Sequence, residues 1–176
     1  SDGRFFLRTS RGQSSANHLI VAAGTSSVDC LARLGVRLQL NPVAGAAADF
    51  DLPDESDDLP SCPIMDAQSR SALTVFKDRV RISGGWGLDD PASLIERWRD
   101  LAPGLMLHLS QPRSTWTGYR PVSPVGRPYI SGTSVPNLWV NTGHGHMGWT
   151  LSAGSGELLA GLVFGEHQDK QFAFSG

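Results

Sequence analysis

The sequence predicts a mixed α/β and α+β fold, and three stretches predict it. "HLIVAAG" (residues 18–24) is an uninterrupted apolar run, the composition of a strand buried on both faces of a parallel sheet. "IMDAQSRSALTVFKDRVRISGG" (64–85) reads as successive strands that turn near Lys77-Asp78, which suits an antiparallel sheet. "DPASLIERWRDLAPG" (90–104) is the clearest helix. Asp90 can cap it, Pro91 suits its first position, and Leu94, Ile95, Trp98 and Leu101 make one apolar stripe.

The other elements follow in order. Arg4 to Thr9 is a strand, a turn falls at Arg11-Gly12, and the apolar run from His18 to Ala23 is a second strand. Gly24 ends it, and Thr25 or Ser26 can cap a helix over 27–34. The start is abrupt, and a buried parallel strand needs neighbours on its amino-terminal side. The chain is therefore expected to be part of something larger. Residues 36–47 alternate as a strand until Pro42 interrupts them. "DFDLPDESDDLP" (49–60) reads as a solvated acidic loop. After the 90–104 helix, which Pro103-Gly104 terminates, come three extended pieces, "STWTGYRPVS", "RPYISG" and "LWVNTG". A last helix covers Thr150 to Phe164, with Leu151, Leu158, Leu159 and Leu162 on one face and Gly165 as its stop. The polar tail beyond it is expected to fray.

Composition narrows the functional classes. A net charge of -2 with scattered basic residues gives no footprint for nucleic acid. No segment is apolar for long enough to span a membrane, and no secretory signal is visible. Cys30 and Cys62 stand far apart without ligand spacing, which reads as two reduced thiols of a cytoplasmic protein.

The stretch "NTGHGHMGWT" (141–150) holds Gly143, Gly145 and Gly148 in a G-x-G-x-x-G spacing, between an apolar run and a helix. A dinucleotide turn would need a full βαβ unit and an acidic residue about 20 positions on. Glu166 and Asp169 are available, but no second strand follows, and His144, His146, Met147 and Trp149 are bulky for a pyrophosphate turn. A strand-to-helix connection with no ligand stands as the alternative. Two histidines two residues apart lack a third ligand, so no metal is predicted. No Ser/His/Asp or paired-carboxylate arrangement is evident.

The chain as a whole adds to this. W-x-G-x-R-P (116–121), G-x-P-x-x-x-G (126–132), L-W-x-N-T-G-H-G (138–145), then G-W-T and G-S-G occur in order before the closing helix. Together with "ANHLIVAAGTSS" and "LGVRLQLNPVAGAA", they resemble the carboxy-terminal portion of the D-amino-acid oxidase and dehydrogenase family of flavoproteins. Bacterial D-amino-acid dehydrogenase small subunits are the nearest branch, with glycine oxidases more distant. The resemblance runs from about residue 16 to 165 and is poor in the acidic stretch. It implies a partial FAD-binding, Rossmann-like domain (1–35 and 137–176) and an antiparallel-sheet substrate domain (36–136).

The resemblance also implies a chemistry: FAD as cofactor, and oxidation of a D-amino acid to an imino acid that hydrolyses to a 2-oxo acid and ammonia. The family's amino-terminal FAD-binding half is not in this sequence, so that half or a companion chain is the expected partner. Peripheral association with a respiratory inner membrane is a further expectation. Arg120 is the candidate carboxylate clamp, because a guanidinium matches a planar carboxylate with two parallel hydrogen bonds. Pro121 biases it to an extended backbone, and Gly118 lets the strand pass close to a ring. Tyr119 and His146 are candidate substrate contacts, and Trp116 and Trp149 candidate pocket walls that are otherwise core. Ala23, Gly24, Gly118, Gly143, His144, Gly145, Met147, Gly148, Trp149 and Thr150 are the candidate cofactor contacts, set against the isoalloxazine ring and not a pyrophosphate. Val125 and Trp86 stand where relatives tend to carry acids, which leaves substrate identity open. A non-catalytic structural module keeping the same fold is the alternative class, and an NAD-binding domain a third.

Overall fold

A computed structural model describes residues 3–53, 59–88, 90–109 and 111–166. The chain divides into two units, Ser1–Pro42 with Arg120–Gly176, and Val43–Tyr119.

The first unit opens with a hairpin in which β1 (Phe5–Thr9) pairs antiparallel with β2 (Gly12–Ala16). β3 (Leu19–Val21) then pairs in parallel with the late strand β10 (Leu138–Thr142), and β10 pairs antiparallel with β9 (Tyr129–Gly132). The parallel pairing expected for the apolar run is present. Its burial on both faces is not: Val21 is buried, but Ile20 is 50% exposed. Helix α1 (Ser27–Ala32) covers the Val21 side, and helix α4 (Ser152–Phe164) packs chiefly on β9 and β10. Val21, Leu31, Val36, Leu38, Tyr129, Leu138 and Val140 form the core.

Three local expectations fail here for physical reasons. Neither Thr25 nor Ser26 caps α1 through a side chain. A 3-10 turn at Gly24–Ser26 precedes it, and Ser26 is already helical (φ -69°, ψ -9°), whereas a capping serine stays extended. Ala23 N–H donates instead to Ser27 Oγ at 3.0 Å, and Ser27 is fully buried. Val36 and Leu38 are buried in alternation as expected, yet residues 36–40 join no ladder. The strand β4 starts only at Asn41 and runs to Phe50, with Pro42 tolerated near its beginning. On α4, Leu159 is buried but Leu151 precedes the helix and is exposed. Gly165 (φ 77°) ends α4 as expected, with Glu166 N–H donating to Gly161 O at 2.8 Å. Residues of the tail from 167 on lie outside the described residues.

The second unit is a five-stranded sheet with one face on helices. β5 (Ile64–Asp66), β6 (Ser71–Val75), β7 (Val80–Gly84) and β4 pair antiparallel in that spatial order, and β8 (Ser114–Val122) lies beyond β4. The alternation of β-strands sorts its residues. Ala46, Ala48, Phe50, Leu73, Val80 and Ile82 join the core with Leu94, Ile95 and Trp98 of α2 (Pro91–Leu101). Asp90 caps α2 by accepting from Ala92 N–H and Ser93 N–H at 3.0 and 3.1 Å. Leu101, expected in the apolar stripe, is 47% exposed. Pro103 does not end the helical region: it opens a second short helix, α3 (Pro103–Leu107), after a break at Ala102. Buried Trp98 donates its Nε1–H to Ser71 Oγ at 3.0 Å.

The opposite sheet face is ionic. Arg81 stands directly across from Asp49 and donates Nε–H and Nη2–H to its two carboxylate oxygens at 2.7 and 2.9 Å. The acidic neighbours of Asp49 predict a solvated loop. Asp49 is the buried penultimate residue of β4, 5% exposed, because this guanidinium neutralises it. Hydrogen bonding from Arg81 holds the Asp49 carboxyl below its ordinary pKa, against the opposing effect of burial. Residues 54–58 of the acidic stretch lie outside the described residues.

Candidate functional site

The site is built where β8 ends and the glycine turn begins. Val122, the last residue of β8, forms an antiparallel bridge with His144. The three glycines of the turn serve different needs. Gly143 has φ 86°, and a Cβ there would sit 3.2 Å from Ser123 Cβ and 3.3 Å from Tyr129 Cδ2. Protein packing and backbone conformation both require glycine at that position. Gly145 (φ 59°) is a conformational requirement, with Val122 Cγ2 at an ordinary 3.7 Å from a Cβ built there. Gly148 has φ -56° and only ordinary contact with His144 Cβ at 3.6 Å, so it carries no such constraint.

After the glycines the chain tightens. A 3-10 turn covers Gly145–Met147, with Met147 N–H donating to His144 O at 3.1 Å, and α4 begins at Ser152, two residues later than Thr150. Trp149 is 92% exposed, and His146, Met147 and Thr150 are also exposed.

Two further links gather the expected residues of the first unit. Thr142 Oγ1–H donates to Gly24 O at 3.1 Å, which ties the end of β3, with Ala23 and Gly24, to the end of β10. Gly24 has φ 59° and nothing within 4 Å of where a Cβ would lie. Arg120 stands two residues before Val122 on β8, so the two side chains share one strand face, the face on which Val122 meets Gly145. Arg120 is half-buried, and burial lowers its pKa. A guanidinium so far above neutrality keeps its charge. Gly118 and Tyr119 lie on β8 within the second unit; Gly118 also has open space at its Cβ position, and Tyr119 is 59% exposed. Trp116 stacks its ring under the Arg81 guanidinium, 4.8 Å from its centroid.

His144 is set apart from its neighbour His146. Burial pushes its imidazole down from the ordinary pKa, so the ring is neutral at pH 7. Its Nε2 is buried without a hydrogen-bond partner, and so is Oδ1 of Asn141. Asn141 lies within the L-W-x-N-T-G-H-G motif, but whether its side chain is satisfied depends on spatial neighbours that spacing does not reveal. Among the described residues no group of three or more His, Cys, Asp or Glu is arranged to hold a metal. A cavity of about 350 Å³ lies in the second unit between Asp90–Arg99 and Gln111–Thr115, and none of the expected site residues lines it.

Comparison with known proteins identifies the family. The model of the FAD dependent oxidoreductase family, DAO, matches residues 1–162. The chain belongs to this family. The family is FAD-dependent, and the residues present fit that cofactor: a glycine turn follows the carboxyl end of a strand, and open space lies beyond Gly24. A D-amino acid dehydrogenase of Vibrio vulnificus (strain YJ016) is 37% identical over 174 residues, which is 94% of this chain and 41% of that relative. The chain thus spans about two fifths of the length of such relatives. Among solved structures, glycine oxidase from Bacillus cereus ATCC 14579 superposes with a TM-score of 0.75 at 24% identity, over 95% of this chain and 47% of that one. L-amino acid deaminase from Proteus vulgaris does so with a TM-score of 0.76 at 21% identity, over 96% of this chain and 45% of that one. These two establish the fold. No helix among the described residues is long and apolar enough to cross a membrane.

Proposed function

We propose that this chain is the carboxy-terminal part of an FAD-dependent enzyme that oxidises a D-amino acid to its imino acid, which hydrolyses to a 2-oxo acid and ammonia. On this reading the first unit belongs to the FAD-binding domain and the second to the substrate domain. An amino-terminal half, in the same polypeptide or a companion chain, completes the cofactor site. Peripheral contact with a respiratory membrane belongs to the same reading.

When bound, FAD supplies the hydride acceptor. The rest of the work falls to this chain. Arg120 takes the substrate carboxylate with two parallel charge-assisted hydrogen bonds, and its half-buried setting leaves less water to compete. Tyr119 and His146 contact the substrate. Ala23, Gly24, Gly118 and residues 143–150 lie against the cofactor, where backbone N–H groups and the amino-terminal end of α4 favour negative charge. No protein base is assigned, since holding the Cα–H in line with the acceptor supplies the catalysis.

The observation that supports this most is the Val122–His144 bridge, two residues from Arg120 and on the glycine turn itself. The test is a panel of D- and L-amino acids assayed with a dye acceptor on the longest native polypeptide carrying this sequence. Turnover of D enantiomers is expected, and Arg120→Met should lower kcat/KM by about a hundredfold or more with FAD retained. Turnover of L enantiomers alone would overturn the D assignment, and an unaffected Arg120→Met would remove the clamp.

A further inference from the structure

Helix α4 is apolar almost all round: of its 13 residues only Glu157 is charged. A helix of that composition belongs in an interior. One side of α4 is covered, since Ser155, Leu159 and Gly161 are buried. The line Ala153, Gly156, Ala160 and Phe164 is exposed, and steps of three and four residues keep it on one side of the helix. Phe164 is 79% exposed, and a Cβ at Gly156 would meet nothing within 4 Å.

The sheet under α4 is unfinished on the same side. α1 builds its core on Val21, Leu138 and Val140, and no residue of α4 belongs to that core. α4 packs on β9 and β10, so it covers the opposite face. Ile20 turns to that opposite face, because neighbours in a strand alternate, and it is 50% exposed. β3 is also a sheet edge, paired in parallel with β10 alone among the described residues. Parallel sheets are covered on both faces, and a further parallel strand beside β3 would arrive through a crossover helix. The Val21 face is filled by α1. The Ile20 face has room. Length points to the occupant: the chain covers 41% of the Vibrio vulnificus relative, so the larger part of such a protein lies outside it.

We propose that a helix of the amino-terminal half docks along the Ala153–Gly156–Ala160–Phe164 line of α4 and over Ile20, beside a strand that extends the sheet at β3. This rests on the reading that such a half completes the enzyme. Gly156 and Ala160 let the two helix axes approach to about 8 Å, the close end of the usual range, and Phe164 closes the end of the contact.

The test uses the longest native polypeptide carrying this sequence, with its companion chain where the half is separate. Phe164 is replaced by the photoreactive p-benzoylphenylalanine, and cross-linked peptides are mapped by mass spectrometry. Cross-links should fall in one helix of the amino-terminal half, at the mass of a single enzyme. Ala160→Cys should react with a maleimide about a hundredfold more slowly than Arg99→Cys, which is exposed on α2. Gly156→Leu should lower the melting temperature, whereas on an open helix face the same change raises it. Cross-links to a second copy of this chain, at twice the mass, would overturn the proposal in favour of self-association. Labelling of position 160 as fast as position 99 would show the line open to water and overturn it too. None of these readouts needs the flavin, so the two readings separate. A docked half on a protein that takes up no FAD keeps the contact and ends the flavin reading; FAD uptake with the line open ends the contact alone. A native protein without any amino-terminal half ends both.

Discussion

The two units differ in how their buried polar groups are paired. In the second, Trp98 and Phe50 are each 1% exposed, the Trp98 N–H reaches Ser71, and buried Asp49 is held by Arg81. In the first, Asn141 Oδ1 and His144 Nε2 are buried without partners; large apolar side chains are exposed in both, Phe6 84% and Trp149 92% in the first, Met65 75% and Leu107 84% in the second. The difference lies in how buried polar groups are paired, and not in apolar exposure.

Substitutions can break or sharpen that contrast. Trp98→Ala should cost the most, on the order of 3–5 kcal/mol, from the emptied core and the lost bond to Ser71. Urea unfolding checks it, and a loss below 1 kcal/mol would mean that α2 is not the centre of that core. Asp49→Asn should cost about 3 kcal/mol at neutral pH, because it leaves Arg81 without its charge partner. The pH dependence follows from the depressed Asp49 pKa. A carboxyl easier to ionise when folded stabilises the protein above its ordinary pKa of about 4 and loses that contribution as pH falls below it. Acid unfolding of Asp49→Asn should therefore be flatter in that range, and an unchanged slope would count against the pair.

Gly143→Ala should cost about 2 kcal/mol, from a positive φ and a tight approach to Ser123 and Tyr129. Gly148→Ala, free of both constraints, should cost far less, so thermal melting of the two variants separates backbone need from sequence motif. Asp90→Ala should cost about 1 kcal/mol through the lost α2 cap. Trp149→Ser should be the smallest, within about 0.5 kcal/mol, since the indole is almost wholly exposed. A larger loss would show that Trp149 packs against the rest of this chain.

The same contrast governs how much could be read from the sequence. Helix α2 was legible because its signals are local: Asp90 and Pro91 at its start, and apolar residues at helical spacing. The entry into α1 was not, because the 3-10 turn at Gly24–Ser26 set the backbone before a cap could form. Residues 36–40 show why alternation misleads: Val36 and Leu38 are buried by neighbouring elements without any strand pairing. The acidic stretch misled at Asp49, where a cross-strand arginine 32 residues away outweighed local charge. At the site, the motif order from Trp116 to Gly156 pointed to the family that was found. The distinct demands on Gly143, Gly145 and Gly148 emerged only with their dihedral angles and neighbours.

The bond from Thr142 to Gly24 joins positions 118 residues apart in the chain. A single hydroxyl thereby fastens together the two loops that follow β3 and β10. Transplanting the glycine turn onto another scaffold would carry only half of a clasp; the early loop would have to travel with it.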